Sequence, residues 1–482
     1  MQLSKNGQIV MDWFREITKI PRCSGEEAGI SEFLIKFAKD NNLEAFIEET
    51  TGNVIIKKNA TKGYENSKTV ILQGHLDMVC EKNQGIVHDF SKDALKLTEH
   101  EGLLRATGTT LGADNGIAIA YALTILSSDE FEHPPIEVIL TTEEETSMKG
   151  AEFFNPQNLK GSRLLNLDAE EEGVFYISSA GGIDHHMYLD FKKSKPSLDS
   201  KYKVLISGLK GGHSGSDIHK ERGNSIKLLA RTLAELNSKF NLELADFNGG
   251  SKINAIPREA SCAFYIDKSF ESDLNKMIKE LENLYNNEMG SADSVTLSIE
   301  KNHEFDTVMD KESTDKLINV LLLIHSGIDH KSVDIEDFVI SSQNLGVVKF
   351  EDNTVIISNS LRSSIKSLKT AMVQKLDIIA NAFNLRFESE ADYPEWQYKP
   401  NSDLRDIACK LYEDLTGNKP VIKAIHAGLE CGFFADALKN NDIDILSFGP
   451  NMDGVHSPDE YLDINSADRV FGFLVELLKT LK

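Results

Sequence analysis

The sequence predicts an α/β protein in which one layered domain is interrupted by an inserted α+β domain, and three observations support this fold class. From residue 10 to about residue 180, apolar runs of strand length alternate with helical stretches, as in a sheet with helices packed on its faces. The same alternation returns after residue 396, and the intervening segment is richer in strands that alternate apolar and polar residues. We therefore predict a discontinuous domain at 1–183 and 396–482, with a mixed sheet flanked by helices, and an insert at 184–395.

The elements of the discontinuous domain follow in chain order from the hydrophobic pattern. Short, continuous apolar runs bounded by turn residues are typical of buried strands. They predict strands at 54–57, 69–73, 136–141, 163–167 and 443–448. Apolar residues at helical spacing predict helices at 29–41, 116–127, 403–416 and 466–481.

The insert combines strands of alternating polarity with amphipathic helices. We predict strands at 202–209, 259–267, 294–300 and 354–358, and helices at 224–236, 271–286, 315–325 and 364–383. A helix followed by a pair of strands occurs in each half of the insert, which leaves an internal duplication as one interpretation.

Charge and cysteine content argue against several classes of protein. The 482 residues carry 52 Lys and Arg against 76 Asp and Glu, a formal net charge of −24, which disfavours binding to nucleic acid or to an anionic membrane. The five cysteines are scattered and form no Cys-x-x-Cys pair, so we expect no disulfide scaffold and a reducing, cytoplasmic location. Apolar runs fall short of the roughly 20 residues that cross a bilayer, and the N-terminal residues do not resemble an export signal.

Polar residues follow the predicted strands at the positions where open α/β sheets bind ligands, beyond the strand carboxyl ends. The side chains placed there are His75, Asp77, Glu144, Glu145, Asp168 and His456, and a glycine-rich turn at 108–116 delivers Asp114 to a helix N-terminus. Taken singly, each feature has a plainer explanation: a polar turn, a solvated run of acids at 143–145, or a helix cap for Asp114. Their coincidence at equivalent positions favours one shared site.

Imidazoles and carboxylates gathered at one sheet edge form the nitrogen and oxygen ligand set that suits Zn²⁺, Mn²⁺ or Co²⁺. Three ligand carboxylates (Asp114, Glu145 and Asp168) carry charge −3 and two divalent ions carry +4, so a pair of ions nearly neutralises the cluster. One ion would leave the cluster anionic. The sequence therefore predicts a two-metal hydrolytic centre with Asp114 as the bridge.

Several motifs in the chain are long and occur in a fixed order. They are LQGHLDMV at 72–79, GTTLGADNG at 108–116, EE at 144–145 with GA at 150–151, GGHSG at 211–215 and HSPDE at 456–460. NAIPREA at 254–260, LRSS at 361–364 and HAGLECG at 426–432 accompany them. Together they resemble the di-zinc aminoacylase/carboxypeptidase-like peptidases, and within that family the branch of bacterial aminoacyl-histidine dipeptidases, relatives of carnosinase. The resemblance spans nearly the whole chain.

The resemblance implies a role for each residue of the metal site. His75 and Asp168 would complete the ligands of different zinc ions, Asp114 would bridge both ions, and Glu145 and His456 would bind the second. Asp77 would orient the ring of His75. The family's general base is the Glu immediately before the ligand Glu, and the spacing to Gly150 and Ala151 sets the register, so the resemblance implies that Glu144 is the base.

The family's backbone also sets two local expectations for this site. Its members have a cis peptide after the bridging Asp, here between Asp114 and Asn115. They usually place Gly two residues after the ligand Glu, where this chain has Ser147, so the local backbone is expected to differ slightly.

The resemblance also implies that the insert is a lid or dimerisation-like domain with substrate-binding residues. His213 would stabilise the oxyanion, and Arg362 would pair with the substrate carboxylate through its planar fork. Asn254 and Gly428 are supporting candidates, and roles stay open for Arg258, His426 and Glu430.

The activity implied is hydrolysis of unblocked dipeptides, including Xaa-His and β-Ala-His, by two Zn²⁺ ions that Co²⁺ or Mn²⁺ can replace. Glu144 would take a proton from water and return it to the leaving amine. The expected partner is a small dipeptide, with no nucleic acid and no membrane, and a homodimer and an internal pseudo-dimer are both compatible with the sequence. Alternatives are an enzyme for N-acyl amino acids or tripeptides and a non-catalytic binding module, which the intact ligand set argues against.

Overall fold

The computed structural model describes residues 3–301, 304–333 and 335–482. The chain divides into two compact units. Unit 1 comprises Met1–Ser178, Tyr398–Ala424 and Leu429–Lys482, and unit 2 comprises Ser179–Gln397 and Ile425–Gly428. The segment 425–428 thus groups with unit 2, although the hydrophobic pattern assigns everything after residue 396 to the discontinuous domain.

Unit 1 is built on an eight-stranded sheet. In spatial order its strands are Glu44–Ile47, Val54–Lys58, Ile136–Thr141, Val70–His75, Arg163–Asn166, Asp444–Ser447, Val174–Ser179 and Val421–Ile425. The four strands from Ile136–Thr141 to Asp444–Ser447 run parallel to one another. Because strands inside a parallel sheet are covered on both faces, they read in the sequence as continuous apolar runs. Their carboxyl ends meet at one edge of the sheet.

Helices and a small sheet complete unit 1. The α-helices are Lys5–Ile17, Ala28–Asp40, Ala113–Leu126, Lys149–Glu152, Asp403–Thr416, Glu430–Ala437 and Ile464–Thr480. Helix Ala113–Leu126 is buried along nearly its whole length, as expected of a helix that is apolar on all faces. A four-stranded sheet contains Leu97–His100, Leu103–Ala106, Met452–Asp453 and Tyr461–Asp463.

Side-chain caps fix where several of these helices begin. Ser4, Ser402 and Asp463 each accept a backbone N–H bond from the first turn of the helix that follows. The helix predicted from residue 116 begins earlier, at Ala113, and includes an irregular first turn that its hydrophobic pattern does not reveal. Asp114 and Asn115 have non-helical backbone angles, and the peptide bond between them is cis, as the resemblance implies.

Unit 2 contains two copies of a strand–helix–strand–strand–helix–strand motif in one sheet. The first copy is Ser200–Ser207, Ser225–Phe240, Glu243–Gly249, Ala260–Ile266, Glu271–Met289 and Thr296–Lys301. The second copy is Gly181–Asp190, Lys311–Leu323, Val339–Glu351, Thr354–Ser363, Lys366–Ala382 and Arg386–Tyr393. Both copies order their strands fourth, first, third, second, and the two second strands pair with each other. The strand order confirms the internal duplication.

A short strand and a shared core complete unit 2. Strand Gly327–Lys331 pairs with Val339–Glu351 at the side of the sheet. The apolar faces of the helices and strands of both copies form one continuous hydrophobic core. Among the described residues of the chain, no helix is both long enough and apolar enough to cross a membrane.

One disulfide joins Cys23 to Cys80 in unit 1, with the two Cα atoms 5.7 Å apart. It links the segment after helix Lys5–Ile17 to the segment after strand Val70–His75. The sequence analysis paired no cysteines, because these two lie 57 positions apart in the sequence and nothing in the pattern indicates their proximity. The thiols of Cys262, Cys409 and Cys431 are free.

Candidate active site

The parallel strands of unit 1 bring the predicted metal-site residues to one edge of the sheet. His75 ends strand Val70–His75, and Glu144 and Glu145 follow strand Ile136–Thr141. Asp168 follows the neighbouring strand Arg163–Asn166. The remaining two come from elsewhere: Asp114 from the irregular first turn of its helix, and His456 from the loop that precedes strand Tyr461–Asp463.

Asp114 lies between two imidazoles, one on each of its carboxylate oxygens. His75 Nε2 is 3.0 Å from Asp114 Oδ1, and His456 Nε2 is 3.2 Å from Asp114 Oδ2. Asp168 Oδ1 lies 3.4 Å from His75 Nε2, and Glu145 Oε2 lies 2.9 Å from His456 Nε2. These side chains therefore form two adjoining sets that share Asp114.

The donor atoms fit a pair of divalent ions. The first set is His75, Asp114 and Asp168, and the second is Asp114, Glu145 and His456. Within each set, one donor atom of every side chain lies within 4.8 Å of the others. Glu145 Oε1 is buried and has no hydrogen-bond partner among the described residues, as expected of an oxygen meant for an ion. The resemblance implied different ions for His75 and Asp168, but Asp168 Oδ1 lies 3.4 Å from His75 Nε2, and the two residues belong to the same set.

The carboxylates raise the pKa of both imidazoles. Hydrogen bonds to Asp114 and Glu145 raise the pKa of His456 to about 11. Burial lowers the pKa of His75, but the charge of Asp168 and hydrogen bonds to nearby carboxylates outweigh burial and raise it well above its usual value. Burial also raises the pKa of Asp168 to about 7 against the opposing effect of His75. The cluster thus has more negative groups than its imidazoles neutralise, which favours binding of cations.

Asp77 is fully buried and organises the loops around His75. Its Oδ1 lies 3.3 Å from His75 Nδ1 and accepts the backbone N–H of Glu144 at 3.1 Å. Its Oδ2 accepts the backbone N–H of Glu145 at 3.2 Å and the hydroxyl of Ser24 at 2.6 Å. Burial opposes ionisation, but the bond to His75 and the other donors hold the pKa of Asp77 below its usual value. Anionic Asp77 therefore fixes the imidazole ring and the backbone of both glutamates.

Glu144 lies beside His75 and Glu145, with one donor atom of each within 4.8 Å of the others. Burial raises the pKa of Glu144 well above its usual value, His75 opposes the rise, and Asp168 adds to it. A raised pKa makes the carboxylate a stronger base, as a group that accepts a proton from water requires. Glu143, by contrast, is partly exposed and pairs with Lys149 at 2.8 Å.

Glu430 is a second buried carboxyl group at this edge. Its Oε2 accepts hydrogen bonds from Gln73 Nε2 at 2.5 Å and Thr141 Oγ1 at 2.8 Å, so it ties two parallel strands together. Burial is the main cause that raises its pKa to about 8.

The backbone after the glutamates accommodates Ser147, which stands where members of the family usually have Gly. Left-handed angles occur at Glu143 (φ 53°) and Met148 (φ 54°), on either side of the turn, but not at Ser147. The N–H of Ser147 donates to the carbonyl of Glu143 at 3.0 Å. Since glycine is needed only where φ is positive, Ser147 fits this turn.

Two buried charged residues of unit 1 were missed by the sequence analysis. Arg22 donates to the backbone carbonyl groups of Leu76 and Asp77, and Glu460 accepts backbone N–H bonds from the turn before Asp114. No motif marks Arg22. Glu460 closes the HSPDE motif, and its position four residues after His456 was the available signal.

Arg362 lies in unit 2, in strand Thr354–Ser363, and is held by Tyr393. Its Nη1 donates to the Tyr393 hydroxyl at 2.7 Å, and its Nε is buried with no partner in the described part of the chain. A Cβ atom on Gly428 would lie 2.9 Å from Tyr393 Cε2. Gly428 therefore leaves room for the ring that positions Arg362. Tyr393 is a further residue that the sequence analysis missed.

His213 is a neutral imidazole with a defined tautomer. Its Nδ1 accepts the backbone N–H groups of Gly215 at 3.2 Å and Ser216 at 3.1 Å. Since Nδ1 faces two donors, we assign the ring proton to Nε2. Burial and the charge of Arg362 lower the pKa of His213, which keeps the ring neutral. Such a ring can donate from Nε2 to a developing oxyanion.

The remaining candidates of unit 2 differ in burial. His426 is buried, its Nε2 lies 2.7 Å from Ser342 Oγ, and burial together with Arg362 lowers its pKa to about 3. Asn254 and Arg258 have exposed side chains. The carbonyl of Asn254 accepts the N–H of Ser214 at 2.9 Å, which places its backbone next to the GGHSG segment.

Comparison with known proteins identifies the family. Residues 71–480 match Peptidase family M20/M25/M40. The chain belongs to this family. It is 38% identical over 475 residues to the cytosol non-specific dipeptidase of Escherichia coli, a match that covers 98% of this chain and 97% of that protein.

Solved structures agree with this assignment. The crystal structure of aminoacylhistidine dipeptidase from Vibrio alginolyticus superposes with a TM-score of 0.95 at 36% identity, covering 99% of this chain and 97% of that one. Aminopeptidase PepT from Bacillus cereus covers 99% of both chains with a TM-score of 0.57 at 16% identity, which shows a shared fold alone.

Proposed function

We propose that this M20-family peptidase hydrolyses unblocked dipeptides, Xaa-His among them, with two zinc ions held by unit 1. The observation that carries the proposal is the position of Asp114, whose two oxygens face separate ligand sets with Glu144 alongside. The dipeptidases of E. coli and V. alginolyticus named above support dipeptides as the substrate class.

Five side chains would hold the ions. His75, Asp114 and Asp168 would bind one, and Asp114, Glu145 and His456 the other. Two divalent ions in such a site polarise the scissile carbonyl group and make a water molecule acidic. We propose Zn²⁺ as the resident ion, with Co²⁺ or Mn²⁺ able to use the same donors.

Glu144 would move the proton during hydrolysis. It accepts a proton from the attacking water and delivers it to the nitrogen of the departing amine. Its raised pKa suits both steps. Asp77, which accepts the backbone N–H of Glu144, keeps the carboxyl group in place without contacting the substrate itself.

We assign the catalytic domain to 1–183 with 396–482 and a lid to 184–395, and we place the substrate-binding residues His213, Asn254 and Arg362 in the lid, with Gly428 in the segment 425–428 that groups with unit 2. The guanidinium of Arg362 would pair with the C-terminal carboxylate of the dipeptide. His213 Nε2–H would donate to the carbonyl oxygen as it becomes anionic. Asn254 would contact the substrate backbone, and Gly428 would act through Tyr393.

We further propose that the enzyme acts in the cytoplasm. We also propose that a single chain is the active form, because the duplicated unit 2 already supplies a pseudo-dimer. The Cys23–Cys80 disulfide argues against a cytoplasmic location, since disulfides are rare in reducing compartments. Thiol counting on protein purified from cells under alkylating conditions tests the location, and a sedimentation mass of two chains would contradict the single chain.

Hydrolysis by the zinc-loaded protein of a substrate panel tests the function. The panel contains free dipeptides, β-Ala-His, N-acetylated amino acids and tripeptides. We expect cleavage confined to substrates with a free amine and two residues. Cleavage of acetylated amino acids or of tripeptides alone would transfer the assignment to an aminoacylase or a tripeptidase, and no turnover of any substrate would leave a binding module.

A further inference from the structure

The turn that carries Asp114 is clamped from both sides by two buried side chains of opposite charge, and neither is a proposed metal ligand. These are Arg22, which is 1% exposed, and Glu460, which is 2% exposed. Both have charged groups that are costly to bury unless they are fully hydrogen-bonded. Their hydrogen bonds to the backbone hold the turn in place.

Glu460 holds the amide side of the turn. Its Oε2 accepts the N–H groups of Leu111 at 2.6 Å and Gly112 at 2.9 Å. Its Oε1 accepts the N–H of Ala113 at 2.7 Å and makes a longer contact of 3.4 Å with the N–H of Asp114. A single carboxylate therefore fixes the backbone immediately before Asp114.

Arg22 holds the carbonyl side of the same turn. Its Nη2 donates to the carbonyl oxygen of Gly112, and its Nη1 donates to the carbonyl groups of Leu76 at 2.9 Å and Asp77 at 2.8 Å. The guanidinium thus joins the turn of Asp114 to the loop that follows His75. Only a planar fork with several donors can serve acceptors in this arrangement.

Gly112 is the point where the two side chains meet. Its N–H donates to Glu460 and its carbonyl accepts from Arg22. Its φ of +67° favours glycine, and a Cβ atom there would lie 2.5 Å from Arg22 Nη2. The backbone orientation of the turn is therefore fixed independently of any ion.

We propose that Arg22 and Glu460 are positioning residues that preset the orientation of Asp114, so that each of its oxygens faces its own ligand set before metal binds. Without the clamp the turn would have to be ordered by the ions themselves, at the expense of their affinity. This inference rests on the proposed function for the presence and the identity of the two ions.

Metal binding by Arg22→Lys and Glu460→Gln tests the proposal. The chain offers matched controls at the amino ends of two strands whose carboxyl ends lead into the metal site, Arg163–Asn166 and Ile136–Thr141. Arg163 donates to the carbonyl of Leu481 at 3.0 Å, and buried Glu137 accepts the N–H groups of Lys160 and Gly161. The controls are Arg163→Lys and Glu137→Gln. Zn²⁺ affinity is measured by competition with a chromophoric chelator, and the coordination geometry is read from the visible spectrum of bound Co²⁺.

We expect Arg22→Lys and Glu460→Gln to weaken Zn²⁺ binding by about 10- to 100-fold and to change the Co²⁺ spectrum, because residues behind metal ligands have effects of this size. The controls should stay near wild type in both measurements. Wild-type affinity and spectrum in the two clamp variants would overturn the proposal. If Arg22→Lys does not fold, Glu460→Gln, which keeps the side-chain shape, decides the question. Failure of wild-type protein to bind two ions would instead reject the proposed function.

Discussion

The candidate-site histidines of the two units, His75 and His456 in unit 1 and His213 and His426 in unit 2, have opposite electrostatic surroundings. In unit 1, His75 and His456 face carboxylates, and both have a raised pKa. In unit 2, burial and the charge of Arg362 lower the pKa of His213 and of His426. The same side chain is thus placed in an anionic cluster in one unit and beside a guanidinium in the other.

This difference separates two kinds of recognition. An anionic cluster of imidazoles and carboxylates binds cations, whereas neutral imidazoles next to a buried guanidinium favour an anion such as a carboxylate or a developing oxyanion. Unit 1 therefore has the electrostatics of a metal site, and unit 2 those of a site for the negative parts of a peptide substrate. The predictions below test this division, beginning with the largest expected effect.

Replacing Glu144 should strongly lower turnover while leaving the cation site intact. We expect Glu144→Gln to lower kcat by about 10³-fold, within the range for loss of a general base, with Zn²⁺ still bound. Steady-state kinetics and metal analysis of the purified variant measure both effects. Glu143→Gln is the matched control, since Glu143 is adjacent but pairs with Lys149. Equal activity of the two variants would show that the assignment of the base is wrong.

Changing Arg362 should affect only recognition of the carboxylate. We expect Arg362→Lys to raise KM for free dipeptides by about 10- to 100-fold, because a charged hydrogen bond contributes about 1.5–3 kcal/mol. Dipeptides amidated at the C-terminus should show no such change. Arg258→Lys, at an exposed arginine of the same unit, serves as the control. An equal loss on free and amidated substrates would remove Arg362 from carboxylate recognition.

Removing the Tyr393 hydroxyl should have a smaller effect on the same parameter. The bond from Arg362 to this hydroxyl is neutral on the tyrosine side, so we expect Tyr393→Phe to raise KM about 3- to 10-fold with kcat nearly unchanged. Tyr188→Phe controls for the loss of a hydroxyl group that bonds Glu388 at an exposed site. An unchanged KM in Tyr393→Phe would mean that Arg362 needs no support from Tyr393.

His426 should contribute to the pH dependence of stability. Its pKa is about 3 in the folded chain and near 6.5 when unfolded. Between these values the unfolded state binds the extra proton, so stability falls as pH decreases below about 6.5, by about 1.4 kcal/mol per pH unit. Urea unfolding at several pH values should show a shallower slope for His426→Gln than for wild type. The exposed control His219→Gln should retain the wild-type slope. A wild-type slope in His426→Gln would show that His426 is not buried in its neutral form.

The unit 1 site was open to sequence reasoning because its residues follow parallel strands. Continuous apolar runs marked the strands, and a rule about strand ends then placed His75, Glu144 and Asp168 together. Unit 2 offered no such rule, since its sheet is antiparallel and Arg362 lies within a strand rather than after one. There the candidates came from motif resemblance alone.

Residues that act through the backbone were not predictable. Glu460 bonds to amides about 350 residues away in the sequence, and Arg22 bonds to carbonyl groups that every residue has, so neither leaves a pattern of residue types. The same holds for the Cys23–Cys80 pair and for the hydroxyl that positions Arg362. Long-range contacts of this kind become visible only when the fold is known.

The number of Zn²⁺ ions bound per chain tests the central claim most directly. Equilibrium dialysis of the metal-free protein against buffered Zn²⁺ measures this number, with His456→Ala as the variant and His100→Ala as an exposed control. The account predicts two ions for wild type and for the control, and one tightly bound ion for His456→Ala, because only one of the two ligand sets loses a donor. A single ion in the wild-type protein, or none, would contradict it.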